Sequence, residues 1–220
     1  MPVPPIRPEA VIFDIGNVLI EWQPERFYDR VIGSVRRRQL FDAVDMHAVN
    51  DRVDLGSPFR ETIFAAAEEN PDFRDEIRMW HDRWIEMATP VIARSVILLR
   101  ALRARGVAVF ALSNFGIDSF SLAEKHYAFL GEFDRRYISG HMQVTKPDAE
   151  IYRRVETDSG IAPEKLLFTD DRKDNIEAAQ ARGWQVHHFD GPAGLAARLV
   201  ADGLLSPAET GIDAPGPHGD

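Results

Sequence analysis

The sequence contains no cysteine. That absence excludes disulfides, thiolate metal sites and cysteine nucleophiles together, and it suits a reducing compartment. Long apolar runs are missing too: no window approaches the roughly 18 apolar residues that a spanning helix requires. The opening MPVPPIRPEA lacks the apolar stretch behind a basic start that marks an export signal. A cytoplasmic protein with no membrane partner is expected. Positive charge is in deficit, with 26 basic against 35 acidic side chains and a formal net charge of −9. Such a surface disfavours nucleic acid as a partner, and the short stretch Val35-Arg36-Arg37-Arg38 does not override it. No internal repeat is visible.

What is present is the composition of an ordinary globular protein, 45% hydrophobic and 28% charged over 220 residues, enough for one core plus a small accessory domain. Four short apolar runs read as strands: Ala10–Asp14, Val107–Leu112, Leu166–Thr169 and Gln185–Phe189. The first three are nearly continuous in apolar residues, the pattern of strands covered on both faces in a parallel sheet. Helical patterns alternate with them. Val91–Arg105 ends before Gly106, Pro147–Asp158 opens on a proline and closes before Gly160, and Asn175–Arg182 is followed by Gly183. This alternation predicts a doubly wound α/β layer whose ligands bind beyond the carboxyl ends of the strands. Between Trp22 and Pro90 the rhythm changes to helical patterns (Pro24–Ile32, Val35–Val44, Pro58–Glu69, Asp72–Met87) with no convincing strand, which reads as a helical insertion. The tail after Leu205, rich in Pro, Gly, Ala and Asp, is expected to be loose.

The polar residues at the predicted strand ends carry the chemistry. Asp14 stands at the mouth of the first run; alone, it would read as a solvated turn residue. Ser113 and Asn114 follow the second run and could hold phosphate oxygens or simply serve a turn. Lys146, just before a proline, could neutralise phosphate. Asp170, Asp171, Asp174 and Asn175 close the third run. Adjacent carboxylates at a buried strand end repel one another and lose hydration, for which a divalent cation compensates, and oxygen-only ligands favour magnesium over zinc. Helix capping explains one of these acids but not the cluster.

Taken together, Phe13-Asp14-Ile15-Gly16-Asn17-Val18-Leu19, Leu112-Ser113-Asn114, Lys146-Pro147 and Asp170-Asp171-Arg172-Lys173-Asp174-Asn175 resemble the four motifs of the haloacid dehalogenase superfamily, over about residues 10 to 190. The resemblance is nearest to bacterial sugar-phosphate phosphatases with an Asp-x-Gly-Asn-Val start. It implies a Rossmann-like α/β core from residues 1–21 and 91–205, a small helical cap from 22–90 inserted after the first strand, and a disordered tail from 206–220. It also implies a magnesium-dependent phosphohydrolase acting on a small phosphorylated metabolite. In that scheme Asp14 attacks phosphorus and binds magnesium, and Gly16 offers a backbone carbonyl to the metal. Ser113 and the backbone at Asn114 hold phosphate oxygens, Lys146 balances charge, and Asp171 is the principal acidic ligand. Asn175 braces the site, and Asp170 either ligates through water or supports Asp171.

One position departs from the family pattern. Many of its phosphatases carry a second aspartate two residues after the nucleophile as general acid and base, and here that residue is Gly16. Two rival readings follow: a metal-independent dehalogenase with an aspartate attacking carbon, and a catalytically weakened binding or regulatory domain. Dehalogenases of the family usually carry an aromatic residue in place of Gly16 and serines in place of Asp170-Asp171, which favours phosphoryl transfer. Within the insertion, Trp22, Phe27, Tyr28, His47, Arg52, Arg60 and Trp84 are candidates for substrate contact, Trp22 foremost.

Overall fold

The computed structural model describes residues 6–211. Five parallel strands form its centre: β1 (Ala10–Phe13), β4 (Ala108–Ser113), β5 (Arg135–Ile138), β6 (Leu166–Asp170) and β7 (Gln185–His188), in the order β5-β4-β1-β6-β7. In the central strand, Ala10 and Ile12 face one side with Phe110, Leu112, Leu166 and Phe168. Val11 and Phe13 face the other side with Val109, Ala111 and Leu167. Both faces are buried, which is why the run is apolar at every position and does not alternate. One face is covered by α9 (Ala149–Ser159) and α10 (Lys173–Ala181) through Ile151, Tyr152, Val155 and Ile176. The opposite face is covered by α6 (Ala93–Ala104) and α11 (Pro192–Ala201) through Leu98, Leu99, Leu195 and Leu199.

The register sets the site. Phe13 lies opposite Ala111 on β4 and Thr169 on β6, so Asp14, Ser113 and Asp170 emerge together at the carboxyl edge. The chain winds outward from β1 on one side to β4 and β5, then returns to the other side for β6 and β7. The crevice where the winding reverses is the place where such sheets bind ligands.

The insertion springs from a two-stranded antiparallel ribbon of β2 (Ile20–Trp22) and β3 (Ala88–Val91). The sequence pattern foresaw no strand there; β3 is four residues long and contains Pro90, a residue confined to sheet edges. Between the two strands lie α1 (Pro24–Ile32), α2 (Ser34–Ala43), α3 (Met46–Asp54), α4 (Phe59–Glu69) and α5 (Arg74–Asp82). Helix α3 was not foreseen, although Met46, Val49 and Val53 form its buried stripe and the Asp45 side chain caps it by accepting from the Ala48 N–H at 2.9 Å. The predicted helix over Asp72–Met87 breaks after Asp82, and a 3-10 turn, Trp84–Glu86, turns Trp84 onto Phe115 of the core. Trp80 fills the middle of the insertion, fully buried, 5.8 Å from Trp22 and 6.1 Å from Tyr28 between ring centroids. Its indole N–H donates to Asn50 Oδ1 at 3.0 Å.

Insertion and core meet closely along α3 and the loop that follows β4. A Cβ on Gly116 would come 2.5 Å from Val53 Cγ1, so only glycine allows this approach. Ser139, at the start of the short helix α8 (Ser139–Met142), donates from Oγ to the Asp54 carbonyl at 2.6 Å and accepts from the Phe115 N–H at 2.8 Å.

Several boundaries differ from the sequence pattern. Val91 belongs to β3 and not to α6. Pro147 precedes α9, which is capped by the Asp148 side chain accepting from the Glu150 N–H at 2.8 Å. The edge strand β5, the helix α7 (Ile117–His126) and α11 were not foreseen. The stretch just after Leu205, expected to be loose, is ordered where it is described: Pro207–Thr210 forms a 3-10 turn closed by a Ser206–Glu209 capping box, with Thr210 buried. Residues 212–220 of that expectation lie outside the described residues. No helix among the described residues is long and apolar enough to cross a membrane.

Trp80→Ala should lower the stability of the chain by about 3–5 kcal/mol, because it empties a closed aromatic site and leaves Asn50 Oδ1 without its donor. Urea unfolding of the purified variant beside the parent would measure it.

Candidate active site

At the carboxyl edge of the sheet, Asp14 and Lys146 are buried and Asp170 is fully enclosed. Asp14 Oδ1 accepts from Ser113 Oγ at 2.6 Å and from its neighbour's backbone, the Ile15 N–H, at 2.7 Å. Lys146 Nζ stands 3.0 Å from the same oxygen, 2.6 Å from Asp170 Oδ2 and 2.9 Å from the Leu112 carbonyl. Asp170 is saturated: Oδ1 takes the Arg172 N–H at 2.8 Å, and the Asn175 side-chain amide lies 3.1 and 3.0 Å from its two oxygens. Asp171 differs. Its Oδ2 accepts from Asn17 Nδ2 at 3.1 Å and its side chain remains half-buried.

The eight residues to which the family resemblance gives roles converge here, whereas Asp174 pairs with Arg172 at 2.7 Å. Asp14, Gly16, Ser113, Asn114, Lys146, Asp171 and Asn175 line one cavity of about 360 Å³, and Asp170 lies beneath it bonded to Lys146 and Asn175. Asn114 plays a local part through its side chain, which pairs reciprocally with the Lys146 backbone: Nδ2 donates to the Lys146 carbonyl at 2.9 Å and Oδ1 accepts the Lys146 N–H at 2.8 Å. That pair ties the lysine loop to the end of β4.

Of the insertion candidates, Trp22, His47 and Trp84 line the cavity. Phe27 and Tyr28 are core residues, while Arg52 and Arg60 are exposed, Arg60 resting over the Phe64 ring. Asn17, Asn50, Asp51 and Asp54 were missed. Asn17 adopts a left-handed φ of 54°, which asparagine tolerates, and its Oδ1 accepts the Trp22 N–H at 3.0 Å. Its place in Gly16-Asn17 was the available signal. The others come from α3, whose position over the sheet edge no local pattern discloses.

The electrostatics show a deficit of positive charge. Burial raises the Asp14 carboxyl to about 7, with the charges of Asp170 and Asp171 adding to the rise and Lys146 and Ser113 opposing it. Burial also raises Asp171, against the Asn17 hydrogen bond, and Asp170 adds to that rise. For Lys146, burial acts downward, but Asp14 and Asp170 outweigh it and hold the amine above its ordinary value. Lysine therefore balances one carboxylate, and two are left over. Oxygens of Asp14, Asp170 and Asp171 all lie within 4.8 Å of one another, an all-oxygen donor set suited to a hard divalent cation.

Comparison with known proteins shows the family and the fold. A family model described as haloacid dehalogenase-like hydrolase matches residues 8–183. The chain is 26% identical to a sesquiterpene phosphatase of Aspergillus oryzae, covering 80% of this chain and 86% of that one. It is 24% identical to a phosphorylated carbohydrates phosphatase of Thermotoga maritima, covering 91% and 95%. Among solved structures, a variant HAD family enzyme of Bacteroides thetaiotaomicron in complex with magnesium and inorganic phosphate superposes with a TM-score of 0.63 at 22% identity, covering 84% of this chain and 95% of that one. An L-2-haloacid dehalogenase of Xanthobacter autotrophicus, with chloropropionic acid covalently bound, superposes with a TM-score of 0.58 at 17% identity over 93% and 87%.

The surplus charge makes a stability prediction. A carboxyl raised in the folded state binds its proton more tightly there than when unfolded, so stability is lost as pH rises from about 4 to about 7. Asp14→Asn removes that loss. In metal-free buffer at pH 8 the variant should be more stable than the parent, by on the order of a few kcal/mol, and the gap should close by pH 4. Thermal melts across that range would check it.

Proposed function

Because the chain belongs to the haloacid dehalogenase-like hydrolases, we propose that it is a magnesium-dependent phosphatase of small phosphate esters in which Asp14 takes the phosphoryl group. The observation that carries this reading is the buried triad of Asp14, Lys146 and Asp170 with Asp171 beside it, a site one dication short of neutrality.

The residues present suit magnesium. Asp14 and Asp171 would hold it with the Gly16 carbonyl, while Asp170, its oxygens already taken, would act by fixing Lys146 and Asn175. When bound, the ion would supply positive charge to the carboxylates and to the phosphoryl oxygens. Everything else falls to the chain. Donors from Ser113, Ile15 and Lys146 converge on Oδ1 and fix the plane of the Asp14 carboxyl, so the nucleophile meets its substrate in one orientation. Lys146 opposes the rise that burial imposes on the Asp14 carboxyl and draws in the phosphoryl group. The backbone at Asn114, at the same strand end, would hold a phosphate oxygen, and the Ser113 hydroxyl would join it by turning its one proton from Asp14 Oδ1 to the phosphate.

The cavity wall supports a compact substrate with polar and apolar faces. Trp22 and Trp84, 5.6 Å apart between ring centroids, offer apolar surface, and His47, Asn50 and Asp54 offer hydrogen-bonding groups. A sugar phosphate fits that composition, and the Thermotoga maritima relative bears a matching name. Two carboxylates without counter-charge disfavour a metal-independent dehalogenase, and the retained, hydrogen-bonded Asp14, Ser113, Lys146 and Asp170 disfavour a decayed scaffold.

The test is release of inorganic phosphate from p-nitrophenyl phosphate with and without magnesium. The parent should need the ion. Asp14→Asn should fall to background while keeping its fold, since an amide is a poor nucleophile. Asp171→Ala should raise the magnesium requirement by more than about 100-fold, beyond the roughly 10–100-fold that loss of an outer-shell partner costs. An active Asp14→Asn variant would reject the reading.

A further inference from the structure

Cleavage of an alkyl phosphate leaves an oxygen that needs a proton, and Gly16 cannot give one. The cavity must then supply another donor, and its lining narrows the choice. Lys146 is held between Asp14 and Asp170, and Asp171 is bonded to Asn17 beside the nucleophile. Arg172 is paired with Asp174, Glu21 with Arg26 at 2.7 Å, and His47 with Glu25 at 2.8 Å. Asp51 is exposed at the rim. Asp54 remains.

Asp54 is the last residue of α3, and two independent features hold it over the cavity that contains Asp14. Asn50 Nδ2 donates to Asp54 Oδ2 at 2.9 Å, and Asn50 is itself oriented by the indole N–H of the enclosed Trp80 at 3.0 Å. From below, the polar backbone of Gly116 favours the Asp54 carboxylate, and the lack of a Cβ at Gly116 lets this end of α3 come down onto the loop that begins at Ser113 and Asn114. We propose that Asp54, carried in by the insertion, is the catalytic acid that protonates the leaving oxygen in place of the aspartate absent at position 16. The proposal rests on the phosphatase reading above.

The step balances. As Asp14 forms its bond to phosphorus, the bond from phosphorus to the leaving oxygen breaks and its electron pair stays on that oxygen. The oxygen takes the Asp54 proton, giving an alcohol and the Asp54 carboxylate. In hydrolysis of the aspartyl phosphate, that carboxylate can take a proton from the attacking water, which returns Asp54 to its acid form and releases Asp14 and phosphate. The environment agrees with such a role. Burial raises the Asp54 carboxyl to about 7, with the charges of Asp51 and Asp14 adding and the Gly116 backbone opposing.

The test compares kcat/KM on p-nitrophenyl phosphate, whose leaving group needs no proton, with that on a hexose 6-phosphate, whose leaving group does. Asp54→Asn should lose about 10²–10⁴-fold on the hexose ester and stay within a few-fold on the aryl ester. The fall in hexose-ester rate above pH about 7 in the parent, expected as Asp54 ionises, should vanish in the variant. A second variant guards against a mere structural effect. Gly16 has ordinary space for a side chain, its nearest neighbour being Trp22 Cβ at 3.9 Å, so Gly16→Asp combined with Asp54→Asn should recover part of the hexose-ester activity. Equal losses on both esters, or no loss on the hexose ester, would overturn the role of Asp54. A parent that releases no phosphate from either ester, or an active Asp14→Asn variant, would instead reject the phosphatase reading beneath it.

Discussion

A single lysine shared by two buried carboxylates is the constraint on which the site depends. Lys146 bridges Asp14 and Asp170 at 3.0 and 2.6 Å, with its side chain almost wholly enclosed. Burying charge is costly unless each partner is fully hydrogen-bonded, and the surroundings meet that condition unevenly. Asp170 is saturated by Lys146, Asn175 and the Arg172 N–H, whereas Asp14 and Asp171 each keep capacity to bind. The fold thus fixes the cation with one carboxylate and leaves the others poised. The ends of β1, β4 and β6 supply Asp14, Ser113 and Asp170, the segment between α8 and α9 supplies Lys146, and the parallel sheet brings the three strand ends to one edge.

The insertion completes the site from above. It is tied to the core at its ribbon, at Trp84 against Phe115, and where Ser139 bonds both Phe115 and the Asp54 carbonyl. These ties make α3 an extension of the sheet edge. A loss at position 16 can therefore be met by a residue 38 positions further along the chain, since both face one cavity.

How far the sequence discloses this arrangement depends on whether the signal is local. The buried strands announce themselves because each position must be apolar when both faces are covered, as in Ala10–Phe13. The acids at Asp170 and Asp171 stand out because such charge beside such a strand is unfavourable without a function. By contrast, β5 begins Arg135-Arg136, exposed at the sheet edge, and has no apolar run to read. Helix α3 is short and polar on its outer side, and β3 contains a proline. Asp54 was illegible for a different reason: its meaning comes from Gly116 and from Trp80 acting through Asn50, and Gly116 and Trp80 are neighbours only after folding.

The central claim is that Asp14 becomes covalently phosphorylated. The direct measurement is mass spectrometry of protein quenched rapidly in acid during turnover of p-nitrophenyl phosphate with magnesium, followed by mapping of the peptide that contains Asp14. One added phosphoryl group on Asp14 is expected, absent when magnesium is withheld and absent in Asp14→Asn. Turnover with no phosphorylated peptide, or with the phosphoryl group on another residue, would contradict it.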